Sequence, residues 1–365
     1  MTNYLIVTAL LFVAELLYFK IADHFNIIDK PNERSSHSTI VLRGGGVIFS
    51  LSMVAWAVMT AVQGDWQVVV DYLPFLCGLL LVAGVSFWDD VKSLPDSVRL
   101  VVQFTAMALM FWSMGIMHWD MWWIVILALI VCVGATNVIN FMDGINGITA
   151  GYALAVLVPL ALVNGCPIRS GMTMVGSGMT VVGSGMTEEV VRTTGGFIDQ
   201  SYLIVAIIGV LVFCIFNFRP KGKAKCFAGD VGSISIAFIM LFAIGRLIVQ
   251  TQDVTYLIFL LVYGIDGCLT ICHRIMLHEN LGEAHRKHAY QLMANELKIG
   301  HVKVSLLYMA IQLAVSLGFI YLCPDSVAAH WCYLAGATLV LAMAYVLFKK
   351  KYYHLHEEYL AGLKR

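Results

Sequence analysis

The chain has 365 residues, 60% hydrophobic and 13% charged, with 23 basic side chains balancing 23 acidic ones. A mean hydropathy of +0.82 excludes an ordinary soluble globular domain and a disordered segment, and leaves a chain whose apolar surface faces lipid.

Eleven apolar stretches are predicted as membrane-spanning helices, near residues 3–19, 44–62, 72–88, 100–117, 122–139, 147–163, 201–218, 233–249, 254–272, 303–322 and 331–348. Each approaches the roughly 20 residues that cross a hydrocarbon layer about 30 Å thick, and each must be helical because a span satisfies its own backbone hydrogen bonds. The expected fold is all-α and polytopic, one integral-membrane domain over residues 1–365. The first stretch lacks the basic front and the cleavage site of a removable signal, so it is expected to stay as a helix. With the N-terminus outside and the C-terminus inside, every Lys and Arg except Arg169, Arg192 and Arg246 falls on internal loops and span ends, as the positive-inside rule requires.

In that topology the polar clusters all lie on one face. The first internal loop carries "KPNERSSHS" and "RGGG", with Arg43; it reads either as a membrane-surface basic patch or as a phosphate clamp. "FWDDVKSLPDSVR" sets Asp89 beside Asp90 at a span end, where two like charges need a cation, a proton or a basic partner. Arg99, two helical turns on, is that partner or a phosphate ligand. "NVINFMDGINGI" ends a very apolar run with Asn137, Asn140, Asp143 and Asn146 at three-residue steps. In "CFAGDVGS" glycines flank Asp230 and a helix follows; helix N-terminal amides favour phosphate, and Mg²⁺ is commonly held by one or two carboxylates plus phosphate oxygens. The plainer reading of Asp230 is a helix cap. Phe227 is placed to stack on a base, or simply to pack. "HENLGEAHRKHAYQ" groups His285, Arg286 and His288 as a diphosphate clamp or a basic surface.

Outside, "SGMTMVGSGMTVVGSGMTEEVV" repeats SGMT every seven residues. Two glycines per repeat disfavour a coiled coil, so residues 166–199 read as an external low-complexity insertion. Most of the nine cysteines sit in spans; a Cys323–Cys332 bridge is left open. A transporter would be expected to place polar groups near the bilayer midplane, where only Glu15 and Asp266 look deep.

Taken together, "DKPNERSSH", "RGGG", "FWDD", "NFMDGINGI", "FAGDVGS" and "HRKH" resemble, in order, the motifs of the polyprenyl-phosphate N-acetylhexosamine-1-phosphate transferases, the superfamily of the peptidoglycan MurNAc-pentapeptide translocase. The resemblance implies a bacterial inner-membrane enzyme whose active site is cytoplasmic. It would move a sugar-1-phosphate from a UDP-sugar to undecaprenyl phosphate with Mg²⁺, or Mn²⁺ in its place, and release UMP. By motif, Asp230 resembles the metal ligand, Asp89 and Asp90 the acidic pair acting on the prenyl phosphate, and Phe227 the uracil-stacking ring. Asn137, Asn140 and Asp143 resemble the nucleotide-pocket segment, and Arg286 with His288 part of the histidine-rich phosphate loop. Asp266 and Arg274 resemble an acidic and a basic position of span nine, with a structural ion pair as the plain alternative. The chain departs from the pattern where Asn146 stands for a second carboxylate, where Tyr290 and Gln291 follow His288, and where Ile40–Leu42 lack a proline. These departures suggest the branch that initiates surface-polysaccharide assembly, with N-acetylglucosamine or a 6-deoxy relative as the sugar. The alternatives are the pentapeptide translocase and, from another class, a nucleotide-sugar or lipid-linked-sugar transporter. The expected partners are the UDP-sugar, undecaprenyl phosphate, the bilayer and a second copy in a homodimer; nucleic acid is not expected.

Overall fold

The computed structural model describes residues 2–29, 40–117, 122–165, 196–280 and 285–363. The "KPNERSSHS" part of the first internal loop, and residues 166–195 of the expected insertion with its SGMT repeats, lie outside the described residues.

Except for a two-residue antiparallel pair, β1 (Ile28–Asp29) with β2 (Val41–Leu42), the elements are helices. In order they are α1 (Thr2–His24), α2 (Val47–Val62), α3 (Trp66–Asp71), α4 (Leu73–Val91), α5 (Asp96–Ser113), α6 (Trp122–Phe141), α7 (Ile148–Gly165), α8 (Gln200–Asn217) and α9 (Gly229–Thr251). A 3-10 helix, Val254–Leu260, leads into α10 (Leu261–Met276); α11 (Ala289–Gln291) continues as a π turn over Leu292–Glu296, before α12 (His301–Tyr321) and α13 (Val327–Leu363).

This is an all-α polytopic membrane protein. Each of the eleven expected spans falls on a helix, but nine among the described residues are long and apolar enough to cross a bilayer. The two that fall short do so for different reasons. With 16 residues, α2 rises only about 24 Å. The first turn of α5 is spent on Asp96 and Arg99, which cannot sit in hydrocarbon. At the other extreme, α13 has 37 residues, about 55 Å at 1.5 Å per residue, and its C-terminal part runs past one face.

At the centre lies α9, the most enclosed of the spans, packed against α2, α4, α6 and α7. Small residues let the backbones close in, as lipid-embedded helices require. Ser50 and Ser235 share a 2.8 Å hydrogen bond between α2 and α9, and a Cβ on Gly78 of α4 would lie 2.9 Å from the Ala106 carbonyl of α5. Phe75 stacks on Phe238 and Phe242. Between α7 and α10 the rings of Tyr152 and Tyr263 stack at 3.5 Å, and Tyr152 donates to Gln312 of α12 at 3.0 Å. Cys323 and Cys332 are both free thiols, so the bridge left open from sequence does not form.

Candidate active site

Two glycine-rich segments interlock at one end of the bundle. The stretch after β2 and the loop before α9 run side by side: Phe227 N donates to the Leu42 carbonyl (2.8 Å), Gly45 N to Phe227 (2.9 Å) and Gly46 N to Ala228 (3.1 Å). Gly44 and Gly229 both take positive φ, 81° and 70°. A Cβ on Gly229 would lie 2.5 Å from Asp90 Oδ2 and 2.9 Å from Gly44 N, and one on Gly232 would lie 2.6 Å from Gly46 Cα. Close approach, as well as conformational freedom, therefore demands glycine here.

This interlock brings three carboxylates and two guanidinium groups together. Asp90 Oδ1 accepts Asp230 N and its Oδ2 accepts Val231 N, both at 3.0 Å; Arg43 Nε lies 2.6 Å from Asp90 Oδ1. The first amides of α9, expected to face phosphate, are thus capped by a carboxylate from α4. Those donors were orphans of the helix end, and a buried neighbouring Asp satisfies them better than solvent could. Asp89 accepts Leu94 N at 2.6 Å and faces Arg99 Nη1 at 3.4 Å. Asp230 faces Arg99 Nη2 at 3.5 Å and Arg43 Nη2 at 3.7 Å, and its carboxyl is within hydrogen-bonding reach of that of Asp89. The side chains are graded in access: Asp90 is 0% exposed, Asp89 6% and Asp230 17%. Of the cation, proton or basic partner that the sequence left open, each acid has a basic partner, Arg99 for Asp89 and Arg43 for Asp90.

The α6–α7 turn adjoins this cluster. Asn140 Oδ1 accepts Ser233 Oγ of α9 at 2.5 Å, one turn from Asp230. Asp143 Oδ1 accepts Thr149 Oγ1 at 2.5 Å. Burial pushes the Asp143 carboxyl up to about 6, with the charges of Asp90 and Asp29 adding to the effect and Thr149 and Arg43 opposing it. Two other residues of the motif are engaged in the frame. Asn137 Nδ2 donates to Gln103 Oε1 (2.7 Å) and to the Val133 carbonyl (2.8 Å). Asn146, buried, donates from Nδ2 to the Arg219 and Pro220 carbonyls at 2.9 and 3.1 Å. Those bonds explain the departure from two carboxylates at this position: an amide donates to carbonyls, whereas an ionised acid cannot.

The histidine segment packs on the α6–α7 turn. Tyr290 OH donates to the Phe141 carbonyl at 3.0 Å and packs on Gly144. His288 Nδ1 lies 3.2 Å from Asp266 of α10. Burial, and then the neighbouring His288 and Arg274, push the His285 imidazole down to about 3, so it is neutral near pH 7. Arg286 turns to α13, its guanidinium 5.2 Å from the Tyr359 ring centre and Nη1 3.3 Å from its hydroxyl. Asp266 and Arg274 do not pair with each other: Arg274 goes to Glu279 (3.2 Å) and to the Asn280 carbonyl (2.5 Å), and Glu279 also pairs with Lys287.

Three framework residues escaped sequence reading. Asn217, at the end of α8, accepts Gly147 N and donates to the Cys226 carbonyl, both at 2.8 Å, and so joins two motifs. Gln103 and Ser233 hold Asn137 and Asn140. The only signal for Asn217 and Gln103 is a polar residue in an apolar helix, which does not name its partner, and the motif that contains Ser233 does not name Asn140.

The family model described as glycosyl transferase family 4 matches residues 72–248, a segment that contains Asp89, Asp90, Asn140, Asp143 and Asp230. A probable undecaprenyl-phosphate N-acetylglucosaminyl 1-phosphate transferase of Bacillus subtilis is 24% identical over 291 residues, covering 75% of this chain and 72% of its own length. The phospho-N-acetylmuramoyl-pentapeptide-transferase of Shouchella clausii is 29% identical over 119 residues, 32% of this chain and 27% of its own. That of Thermobifida fusca is 25% identical over 191 residues, 52% and 48% respectively. The motifs in order, the matched segment and these relatives support the resemblance to the polyprenyl-phosphate N-acetylhexosamine-1-phosphate transferase superfamily, a group of membrane phosphoglycosyl transferases.

Proposed function

We propose that the protein transfers N-acetylhexosamine-1-phosphate from a UDP-sugar to undecaprenyl phosphate and releases UMP, as the first step of a surface polysaccharide. The observation that carries this reading is the contact of Asp89 with Asp230 beneath Arg43 and Arg99, at the membrane-surface end of an all-helical bundle. Two carboxylates in contact need a proton or a cation between them, and the arginines supply donors for phosphate oxygens.

The donor set fits Mg²⁺. Asp230 and Asp89 offer hard carboxylate oxygens within reach of each other, and Mg²⁺ is commonly held by one or two carboxylates with phosphate and water as its other ligands. Asp230 would hold it, and bound there it would offset charge on the diphosphate and on departing UMP. An oxygen of the prenyl phosphate attacks the β-phosphorus, and the bond from that phosphorus to the bridging oxygen breaks as UMP leaves. Asp90 has both oxygens committed to the α9 amides and Arg43, so we assign it the holding of α9 and Asp89 the orientation or deprotonation of the acceptor phosphate. Arg43 and Arg99 would bind phosphate. Asn140, Asp143 and Phe227 would border the uridine, with Asn137 and Asn146 supporting from behind, and His285 and His288 would face the diphosphate.

N-acetylglucosamine, or a 6-deoxy relative, is our preferred sugar, supported by the breadth of the match to the Bacillus subtilis relative. The matches to pentapeptide-transferases favour UDP-MurNAc-pentapeptide as the second reading. We place the enzyme in the bacterial inner membrane, N-terminus out, with the site facing the cytoplasm. Membranes holding the protein, given undecaprenyl phosphate, Mg²⁺ and each radiolabelled UDP-sugar in turn, should form a lipid-soluble sugar diphosphate and UMP. Release of UDP would refute the reaction, and turnover with the pentapeptide donor alone would overturn the sugar.

A further inference from the structure

His288 is 2% exposed, and its two ring nitrogens are treated differently. Nδ1 meets Asp266 Oδ1 at 3.2 Å, whereas Nε2 is buried with no hydrogen-bond partner among the described residues. An ionised carboxylate only accepts, so the contact puts a hydrogen on Nδ1 and leaves Nε2 for a ligand. Asp266 is itself held from several sides. Its Oδ1 also takes Ala289 N at 3.1 Å and Thr270 Oγ1 at 3.2 Å, and its Oδ2 takes Tyr308 OH at 2.5 Å; Thr270 Oγ1 in turn lies 2.7 Å from Tyr345 OH. Side chains or backbone of α10, α11 and α12 thus converge on one carboxylate, itself 2% exposed, and α13 reaches it through the Thr270 hydroxyl. Such a network costs stability unless every member is satisfied, yet the one atom it leaves unsatisfied is His288 Nε2. The same segment carries Tyr290, docked on the α6–α7 turn beside the acid cluster.

We propose that Asp266 is a positioning residue for the transfer: fixed by Tyr308, Thr270 and Ala289, it grips His288 by Nδ1 so that Nε2 is presented to a substrate phosphate oxygen. In the imidazolium form both nitrogens donate, Nδ1 to Asp266 and Nε2 to phosphate. The inference rests on the phosphate-binding reading of the histidine segment given above.

The test uses the full-length protein in detergent, with UDP-sugar and undecaprenyl phosphate varied separately. His288→Ala and Asp266→Asn should each lower kcat/KM by about 10- to 100-fold, the usual cost of losing a partner that orients a ligating histidine, and the double variant should be no worse than His288→Ala alone. A rise in KM for the UDP-sugar assigns the contact to the donor diphosphate; a rise for the prenyl phosphate assigns it to the acceptor. Histidine ¹⁵N spectra should show His288 protonated at Nδ1 in the parent and in Tyr308→Phe, but altered in Asp266→Asn. If Asp266→Asn does not fold, the parent spectrum and Tyr308→Phe, expected to lose about 3- to 10-fold, carry the test. Losses that multiply in the double variant, a normal rate for Asp266→Asn, or a parent His288 protonated at Nε2 alone would overturn the proposal. A normal rate for His288→Ala would instead refute the phosphate-binding reading, and the proposal with it.

Discussion

A cluster of three acids and one solitary acid are held in opposite ways. Asp89, Asp90 and Asp230 are matched by arginines, Arg43 and Arg99, and Asp230 remains partly open at 17% exposure. Asp266 is buried and held by a tyrosine, a threonine, a histidine and a backbone amide. Arginines at hydrogen-bonding range can be shared with an arriving phosphate, so the first group can change its partners. The solitary acid has no partner to spare and can only hold a geometry. The difference separates charge that takes part in binding from charge that positions.

The largest effect should come from removing the open charge. Asp230→Asn is expected to lower UMP release by about 1,000-fold, on the order of 4 kcal/mol, with a folded protein by thermal melt; a normal rate would show that the Asp230 charge takes no part in the reaction. Next, Gly229→Ala attacks the interlock that makes the first group possible. At a φ of 70° and 2.5 Å from Asp90 Oδ2, a methyl group must displace Asp90 from the α9 amides. We expect about 100-fold lower activity and a loss of about 2 kcal/mol in stability, from backbone strain and contact together; parental activity would show that Asp90 need not touch α9.

Smaller effects sharpen the comparison at its border. Asn146→Asp would set a carboxylate against the Arg219 and Pro220 carbonyls, and should cost about 1–3 kcal/mol, read as a lower melting temperature at pH 7. Recovery on acidification would confirm that the lost donor is the cause. Asp143 supplies the mildest test. Its folded-state pKa of about 6 lies above the ordinary carboxylate range near 4, so the folded protein binds this proton more tightly than the unfolded chain. The contribution is fully favourable below about pH 4, and is lost as pH rises to about 6. Asp143→Asn should therefore gain in relative melting temperature between about pH 4 and 6 and hold the gain above that. A difference between variant and parent that does not change with pH would contradict the shift.

The sequence by itself determined that the chain is helical and spans a membrane, because hydropathy and the need to satisfy backbone hydrogen bonds act locally. It also determined which polar residues form one face, since loops between spans alternate sides whatever their packing. Even so, the lengths of α2 and α5 were not legible from hydropathy: their ends are set by Gly46, Pro95 and the first polar turn. What only the tertiary structure decided was partnership. The α9 amides read as a phosphate site until Asp90, 140 residues earlier, was found on them, and Asp266 pairs with His288 in place of Arg274. Asn137 and Asn146 turned out to hold Gln103 and two carbonyls. A hydrogen bond depends on positions within a few tenths of an ångström, and those come from close packing among distant helices, here permitted by glycines 44, 46, 229 and 232. Residue type announces that a polar group needs a partner; only the packed bundle chooses which one.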